Sequence, residues 1–294
     1  ILGASKFAFE QMAPAIHAAK GNSLVALATK DTEKAKKFLA LSDTLNIHHD
    51  YNDLLEDPNI DAVYIPLPNH LHIEWATRCL KAGKHVLCEK PISMVAEEID
   101  GLIELRDRTQ LLAAEAYMVV HHPQWQLAKE FVDSGKLGKL VQIDGVFSYN
   151  NADDPMNIRN QAQYGGGGIP DIGVYPYGVS RFVTGLEPSE ILFVDIVFEN
   201  GVDTWANVSA QFPGFKMQAV TSMRSAPRQV MTIQGTEGFL KLTAPFNPNV
   251  YDIAQITFRK GNEKEQVFKF PAANHYVNQV EAFSLAATTD EAYG

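Results

Sequence analysis

The chain has 294 residues, 46% hydrophobic and 20% charged, the proportions of a globular protein that needs neither disulfides nor a structural metal to form a core. At roughly 150 residues per domain the length predicts two domains, or one large one. The 25 basic and 35 acidic side chains give a formal net charge of -10, which leaves no electrostatic footprint for nucleic acid or an anionic membrane surface, and no apolar run approaches the roughly 20 residues of a membrane span.

The sequence opens Ile1-Leu2-Gly3, an apolar pair running into a glycine turn, with no Met, basic region or signal peptide ahead of it. This reads as a start inside a first strand, and the expected location is the cytoplasm. Apolar runs at 24–28, 62–67, 85–88 and 111–116 predict buried parallel strands. Between them, residues 9–19, 71–81 and 96–108 carry apolar side chains three or four apart and predict helices.

Past Met118 the pattern changes. A helix over 124–133, a strand over 140–147, a polar loop and four glycines at 165–168 lead into a helix, and from Ser189 strands dominate. Val202, Thr204, Ala206, Val208, Ala210 and Phe212 alternate with Trp205, Asn207, Ser209 and Gln211, the signature of an antiparallel strand with one buried face. Further strands are predicted at 216–223, 229–234, 239–242, 253–258 and 265–270, before a helix over 276–287. The expected fold is α/β: a Rossmann dinucleotide-binding domain over 1–118, then an α/β domain with a large mainly antiparallel sheet over 119–294.

Gly3, Ala4, Ser5, Lys6 and Phe7, ending at Ala8, fit a loose G-x-G-x-x-G/A fingerprint in which Ser5 stands for the second glycine. Lying between a strand and a helix, they can seat a phosphate on the helix N-terminus. Where an acidic residue commonly ends the second strand and holds the ribose hydroxyls, the chain has Thr29 and Lys30, with Asp31 one step later. That favours NADP over NAD; the competing reading makes Lys30 a solvated charge and Asp31 a helix cap. Nine histidines and the cysteines Cys79 and Cys88 show no metal-ligand spacing, and no metal is expected.

The run Val86-Leu87-Cys88-Glu89-Lys90-Pro91, together with the Gly3 turn, Ile65-Pro66-Leu67-Pro68-Asn69-His70 and the stretch from Gly166 to Tyr175, resembles the glucose-fructose oxidoreductase, inositol dehydrogenase and rhizopine-catabolism (Gfo/Idh/MocA) family. The resemblance implies NADP or NAD on the first domain and a second domain that covers the nicotinamide and builds a homodimer or homotetramer through its sheet. It makes Lys90 the catalytic lysine. Many members carry histidine where this chain has Tyr175, and the tyrosine is similar to NADP-linked aldose dehydrogenases and dimeric dihydrodiol dehydrogenases. A sugar, cyclic polyol or vicinal diol is the implied substrate.

Asp171 and Tyr175 are four apart, which on a helix presents carboxylate and phenol on one face. Oxidation of an alcohol needs a base for the hydroxyl proton while hydride leaves carbon. Tyr175 can supply it with Lys90 nearby to stabilise the phenolate, or Lys90 can accept the proton itself; Asp171 orients the hydroxyl or the lysine. Pro66, Leu67, Asn69 and His70 are expected to line the cofactor crevice. Glu89 either meets the nicotinamide ribose or fixes the Lys90-Pro91 turn. His121 or His122 is a further substrate-facing candidate, and Arg159 and Gln163 stand outside the main set. The alternatives to a releasing dehydrogenase are an enzyme that retains NADP through its cycle and a noncatalytic dinucleotide sensor.

Overall fold

The structure is a computed structural model that describes residues 1–42, 44–289 and 291–293. The chain forms two compact units, one of residues 1–118 together with the segment from Asn274 onward, the other of Val119–Ala273.

The first unit is built on short parallel strands, β1 (Ala26–Ala28), β2 (Asn46–His48), β3 (Ala62–Ile65), β4 (His85–Glu89) and β5 (Ala113–Ala116), paired as β1-β2 and as β3-β4-β5. Ile1 and Leu2 stitch the two sets together. Ala28 N–H donates to the Ile1 carbonyl at 2.9 Å, and Leu2 N–H donates to the Tyr64 carbonyl at 3.0 Å. The spatial order is therefore β2, β1, Ile1-Leu2, β3, β4, β5, the doubly wound order, with its direction of winding reversed beside Leu2. Ala26, Leu27, Ala28, Val63, Ile65, Val86 and Cys88 are buried, as expected of a sheet covered on both faces. Helix His72–Lys81 turns Ala76, Cys79 and Leu80 into this core, and helix Glu98–Thr109 adds Leu102 and Leu105.

Three elements of this unit go beyond the strands and helices expected from apolar periodicity: β2, the helix Thr32–Leu39, whose start only the Asp31 cap marks, and the helix Tyr51–Glu56. In β2 Asn46 is exposed and Ile47 and His48 only half-buried, so no apolar run marks it. Helix His275–Thr288, placed with the second domain on sequence order, packs instead in the first unit. Its Tyr276 ring meets Phe7 at 5.5 Å between centroids, and Glu281 Oε1 accepts from Lys20 N–H at 3.0 Å. The buried stripe of His275, Tyr276, Val280 and Phe283 supplies the reason.

The second unit carries an eight-stranded sheet of β6 (Leu140–Asn150), β7 (Glu190–Glu199), β8 (Val202–Phe212), β9 (Phe215–Ser222), β10 (Arg224–Gly235), β11 (Gly238–Leu242), β12 (Gln255–Lys260) and β13 (Gln266–Lys269), in the order β13-β12-β11-β10-β6-β9-β8-β7. Its pairings are antiparallel except β6 with β9. The alternation read for β8 holds except at Val208: Val202, Thr204, Ala206, Ala210 and Phe212 are buried, while Val208 is half-buried like Trp205, Asn207, Ser209 and Gln211. Helices Pro123–Asp133 and Val174–Thr184 belong to the same unit. The edge strand β7 leaves Ile191, Phe193, Val194 and Phe198 exposed. Among the described residues no helix is long and apolar enough to cross a membrane.

Candidate active site

Gly3 lies at the carboxyl side of the Ile1-Leu2 segment with φ +91°, and a Cβ there would fall 2.9 Å from Leu67 Cδ2 and 3.3 Å from Tyr51 Oη. Only glycine fits both the backbone and the space. The chain turns at once into a helical run beginning at Lys6, where Ser5 Oγ accepts from Ala8 N–H at 3.0 Å. The hydroxyl that stands in for the second fingerprint glycine is thus committed to capping. The N–H groups of the first turn have no partners within the helix and form the kind of cradle that holds a pyrophosphate. A cradle that admits no side chain at Gly3, at the switch point of a doubly wound sheet, fits a dinucleotide.

At the end of β1, Thr29 is buried and its Oγ1 accepts from Asp31 N–H at 3.1 Å. Asp31 Oδ1 accepts from Glu33 and Lys34 N–H at 3.1 and 3.0 Å, and these bonds hold its carboxyl below the usual range. Asp31 is therefore the cap of helix Thr32–Leu39. Lys30 has 83% side-chain exposure and lies 3.9 Å from Asp50. Lys6 is similarly exposed, 3.8 Å from Glu10. Beyond β3, Pro66 and Leu67 lead through Pro68 into a single turn, Asn69–Leu71, with Asn69 half-buried and His70 exposed.

Lys90 follows β4, at the carboxyl end of the sheet, and the Lys90-Pro91 peptide is cis. Two carboxylates hold this turn. Glu89 Oε1 accepts from the Tyr64 hydroxyl at 2.6 Å, its Oε2 accepts from Lys90 N–H at 3.3 Å, and Glu115 Oε1 accepts from Ile92 N–H at 2.8 Å. Burial raises the Glu89 pKa above the usual carboxylate value, opposed by the Tyr64 hydrogen bond and by Lys90. Of the two roles open for Glu89, these bonds favour fixing the turn.

In the second unit, Asp171 Oδ2 accepts from the Tyr149 hydroxyl at 2.7 Å and lies 2.8 Å from Arg159 Nε. Asp171 sits in a π-helical turn, Ile169–Gly173, and Tyr175 in the first turn of the α-helix that follows. Such widened turns recur at functional sites. The Tyr175 ring is buried against Phe147 and Phe246, at centroid distances of 5.6 and 5.7 Å. The glycine run lets the polar loop close over this turn. A Cβ at Gly166 would fall 2.6 Å from the Arg159 carbonyl, and at Gly167 φ is +129° and a Cβ would strike the Asp203 carboxylate. Asp203 in turn accepts from Ile169 N–H at 2.7 Å.

Residues 1–117 match the profile of an oxidoreductase family with an NAD-binding Rossmann fold, and residues 125–241 match that of the GFO/IDH/MocA C-terminal domain. An uncharacterized oxidoreductase of Rhizobium meliloti is 38% identical over 97% of this chain and 87% of its own length. The chain belongs to the Gfo/Idh/MocA family. It is an NAD(P)-dependent oxidoreductase. A further family relative, D-xylose 1-dehydrogenase (NADP(+)) 2 of Haloferax volcanii, is 30% identical over 99% of this chain and 89% of its own length. The crystal structure of KijD10, a 3-ketoreductase from Actinomadura kijaniata in complex with NADP and TDP-benzene, superposes with a TM-score of 0.88 at 28% identity, covering 98% of this chain and 88% of that one.

Several residues that hold the candidate residues in place escape a reading of the sequence. Tyr64, Glu115 and His72 support the Lys90 turn from separate segments, and Tyr149 reaches Asp171 from β6. Arg159, set aside as a loop residue, is an immediate partner of Asp171; its position between β6 and the glycine run is the one available signal. Gln163 donates only to Gln161 among the hydrogen bonds resolved for it and stays on the loop surface. His122 is fully buried, with Nδ1 accepting from Gln124 N–H at 3.1 Å as the cap of helix Pro123–Asp133. Burial pushes the pKa of both His121 and His122 down to about 4.

Proposed function

We propose that the protein transfers hydride between the nicotinamide of NADP and a secondary hydroxyl of a sugar, cyclic polyol or vicinal diol. The observation that carries this reading is the Lys90 turn: a lysine at the carboxyl end of a parallel strand, anchored on both sides by half-buried carboxylates. Such anchoring fixes the backbone from which an ammonium reaches a reacting oxygen. The xylose dehydrogenase and the 3-ketoreductase activities of the two named relatives support the substrate class.

When bound, the nicotinamide supplies the two-electron acceptor or donor. Gly3, Ala4, Ser5, Lys6 and Phe7 hold the pyrophosphate, Pro66, Leu67, Asn69 and His70 border the dinucleotide, and Thr29 with Lys30 takes the 2'-phosphate. Lys90 stabilises the negative charge that develops on the substrate oxygen. Tyr175 accepts the hydroxyl proton during oxidation and returns it during reduction. Asp171, held by Arg159 and Tyr149, accepts a hydrogen bond from a neighbouring substrate hydroxyl and so aligns the carbon that reacts. The apolar edge of β7 supports association into a homodimer or homotetramer through the sheet.

The test is a panel of aldoses, inositols and cyclic diols offered with NAD and NADP separately, followed by product identification. Turnover of at least one sugar, polyol or diol with NADP supports the reading. Tight NADP binding without turnover across the panel in either direction rejects it.

A further inference from the structure

His72 begins helix His72–Lys81, and its side chain has no solvent exposure. Its two ring nitrogens reach two separate segments. Nε2 lies 2.8 Å from the Leu67 carbonyl oxygen and Nδ1 lies 2.7 Å from the Pro91 carbonyl oxygen. Leu67 is the residue whose side chain packs against Gly3, and Pro91 is joined to Lys90 by the cis peptide. One imidazole therefore touches both the loop beside the dinucleotide cradle and the turn that carries the lysine.

A carbonyl oxygen only accepts, so each contact is a hydrogen bond only when the nitrogen facing it carries a proton. The neutral ring satisfies one carbonyl and the protonated ring both. Nothing in starting a helix requires such a group, since a short polar cap does so at the surface. An apolar side chain of the same volume would fill the space and leave two buried carbonyls without a donor.

We propose that His72 is a positioning residue that ties the Leu67 loop to the Lys90-Pro91 turn, so that the placement of the Lys90 ammonium and the closeness of the dinucleotide cradle both depend on it. This rests on the role proposed above for Lys90. A catalytic group displaced by an ångström costs about a hundredfold in rate, so a loosened turn is a kinetic defect before it is a folding defect.

The experiment compares His72→Leu, His72→Gln, Lys90→Ala and the His72→Leu/Lys90→Ala double variant in the full chain. NADP dissociation constants are read from quenching of tryptophan fluorescence, folding from thermal melts, and kcat and KM with the panel alcohol that forms NADPH fastest. In folded His72→Leu, kcat is expected to fall about tenfold or more with KM for the alcohol moving less than about threefold. The NADP dissociation constant is expected to rise about threefold or more, and His72→Gln, which returns an amide donor, recovers much of both losses. In the Lys90→Ala background His72→Leu costs no further turnover, while the loss of NADP affinity persists.

Wild-type kcat and NADP affinity in folded His72→Leu overturn the proposal, as does an equal loss of turnover with and without Lys90. If His72→Leu does not fold, His72→Met, which also offers no donor to either carbonyl, is carried through the same cycle with the same criteria. Full turnover in Lys90→Ala rejects the role proposed for Lys90; the NADP arm then stands alone, and an unchanged dissociation constant overturns the tie through Leu67.

Discussion

Arg159 Nε lies 2.8 Å from Asp171 Oδ2, so a side chain of the polar loop pins the carboxylate of the π-turn at the start of the next helix. Asp171 raises the Arg159 pKa further and keeps the guanidinium charged. Arg159 is 44% exposed, which weakens the pair through solvent screening, but the carboxylate is only 14% exposed and loses its cationic partner if the arginine goes. Replacing Arg159 by Met is expected to lower kcat/KM about tenfold for a polyhydroxylated substrate. NADP affinity should stay unchanged. An equal loss in NADP affinity, measured by fluorescence titration, would place the residue elsewhere in the chemistry.

The Gly3 position predicts a steric defect in dinucleotide binding. Gly3→Ala forces a Cβ into Leu67 at a backbone angle that alanine resists, and the loop must move away from the helix N-terminus. The NADP dissociation constant should rise by about tenfold or more, with a lowered melting temperature. Calorimetric titration showing wild-type affinity would count against this turn as the phosphate cradle.

Lys30 is a test of cofactor choice that leaves folding untouched. Its side chain is exposed and its ion-pair partner Asp50 is at the outer limit of contact, so Lys30→Ala should not move the melting temperature. A charge-assisted bond to a 2'-phosphate is worth roughly 1.5–3 kcal/mol, which corresponds to about a ten- to hundredfold loss of NADP affinity. NAD affinity should change little. Parallel loss for both dinucleotides would remove Lys30 from the 2'-phosphate site.

Acid should destabilise the second unit through its paired histidines. Burial holds the pKa of His121 and His122 near 4, against 6.5 for an unperturbed ring. The unfolded chain thus binds these protons first as pH falls. Stability from this source is fully present above about 6.5, is lost between 6.5 and about 4, and levels off below. Each pH unit in that window costs at most about 1.4 kcal/mol per histidine. His122→Asn retains an acceptor for the Gln124 N–H and removes one titrating ring, so the melting temperature should fall less steeply with acid than in the wild type. Superimposable slopes for the two proteins would show that His122 does not titrate on unfolding.

Much of the fold is legible because its signals are local. The alternation in β8 and the apolar runs of β3 and β4 need only neighbouring residues to be recognised. Strand β2 is three residues long with no fully buried side chain, and it exists because Ala26, Leu27 and Ala28 present a partner edge. The Asp31 cap was visible, but the helix it starts has only Ala35 and Phe38 buried. Among the candidate site residues, Lys90, Asp171 and Tyr175 stand out by motif. Their supports, Tyr64, His72, Glu115, Tyr149 and Arg159, come from distant segments, and such pairings are decided by tertiary packing alone. The unit that the final helix joins is set in the same way: its buried stripe says that it packs, not where.

The return of helix His275–Thr288 to the first unit makes Val119–Ala273 an insertion in chain order, entered from and left to the same unit. Synthesis completes that insertion before it makes the helix that seats Tyr276 beside Phe7. Domains generally acquire structure as they emerge. Here the first unit waits for a segment made after the second, so during synthesis Val119–Ala273 can gather its sheet before the first unit is whole, and a chain interrupted before Asn274 would carry a nearly complete large sheet beside an unfinished first unit.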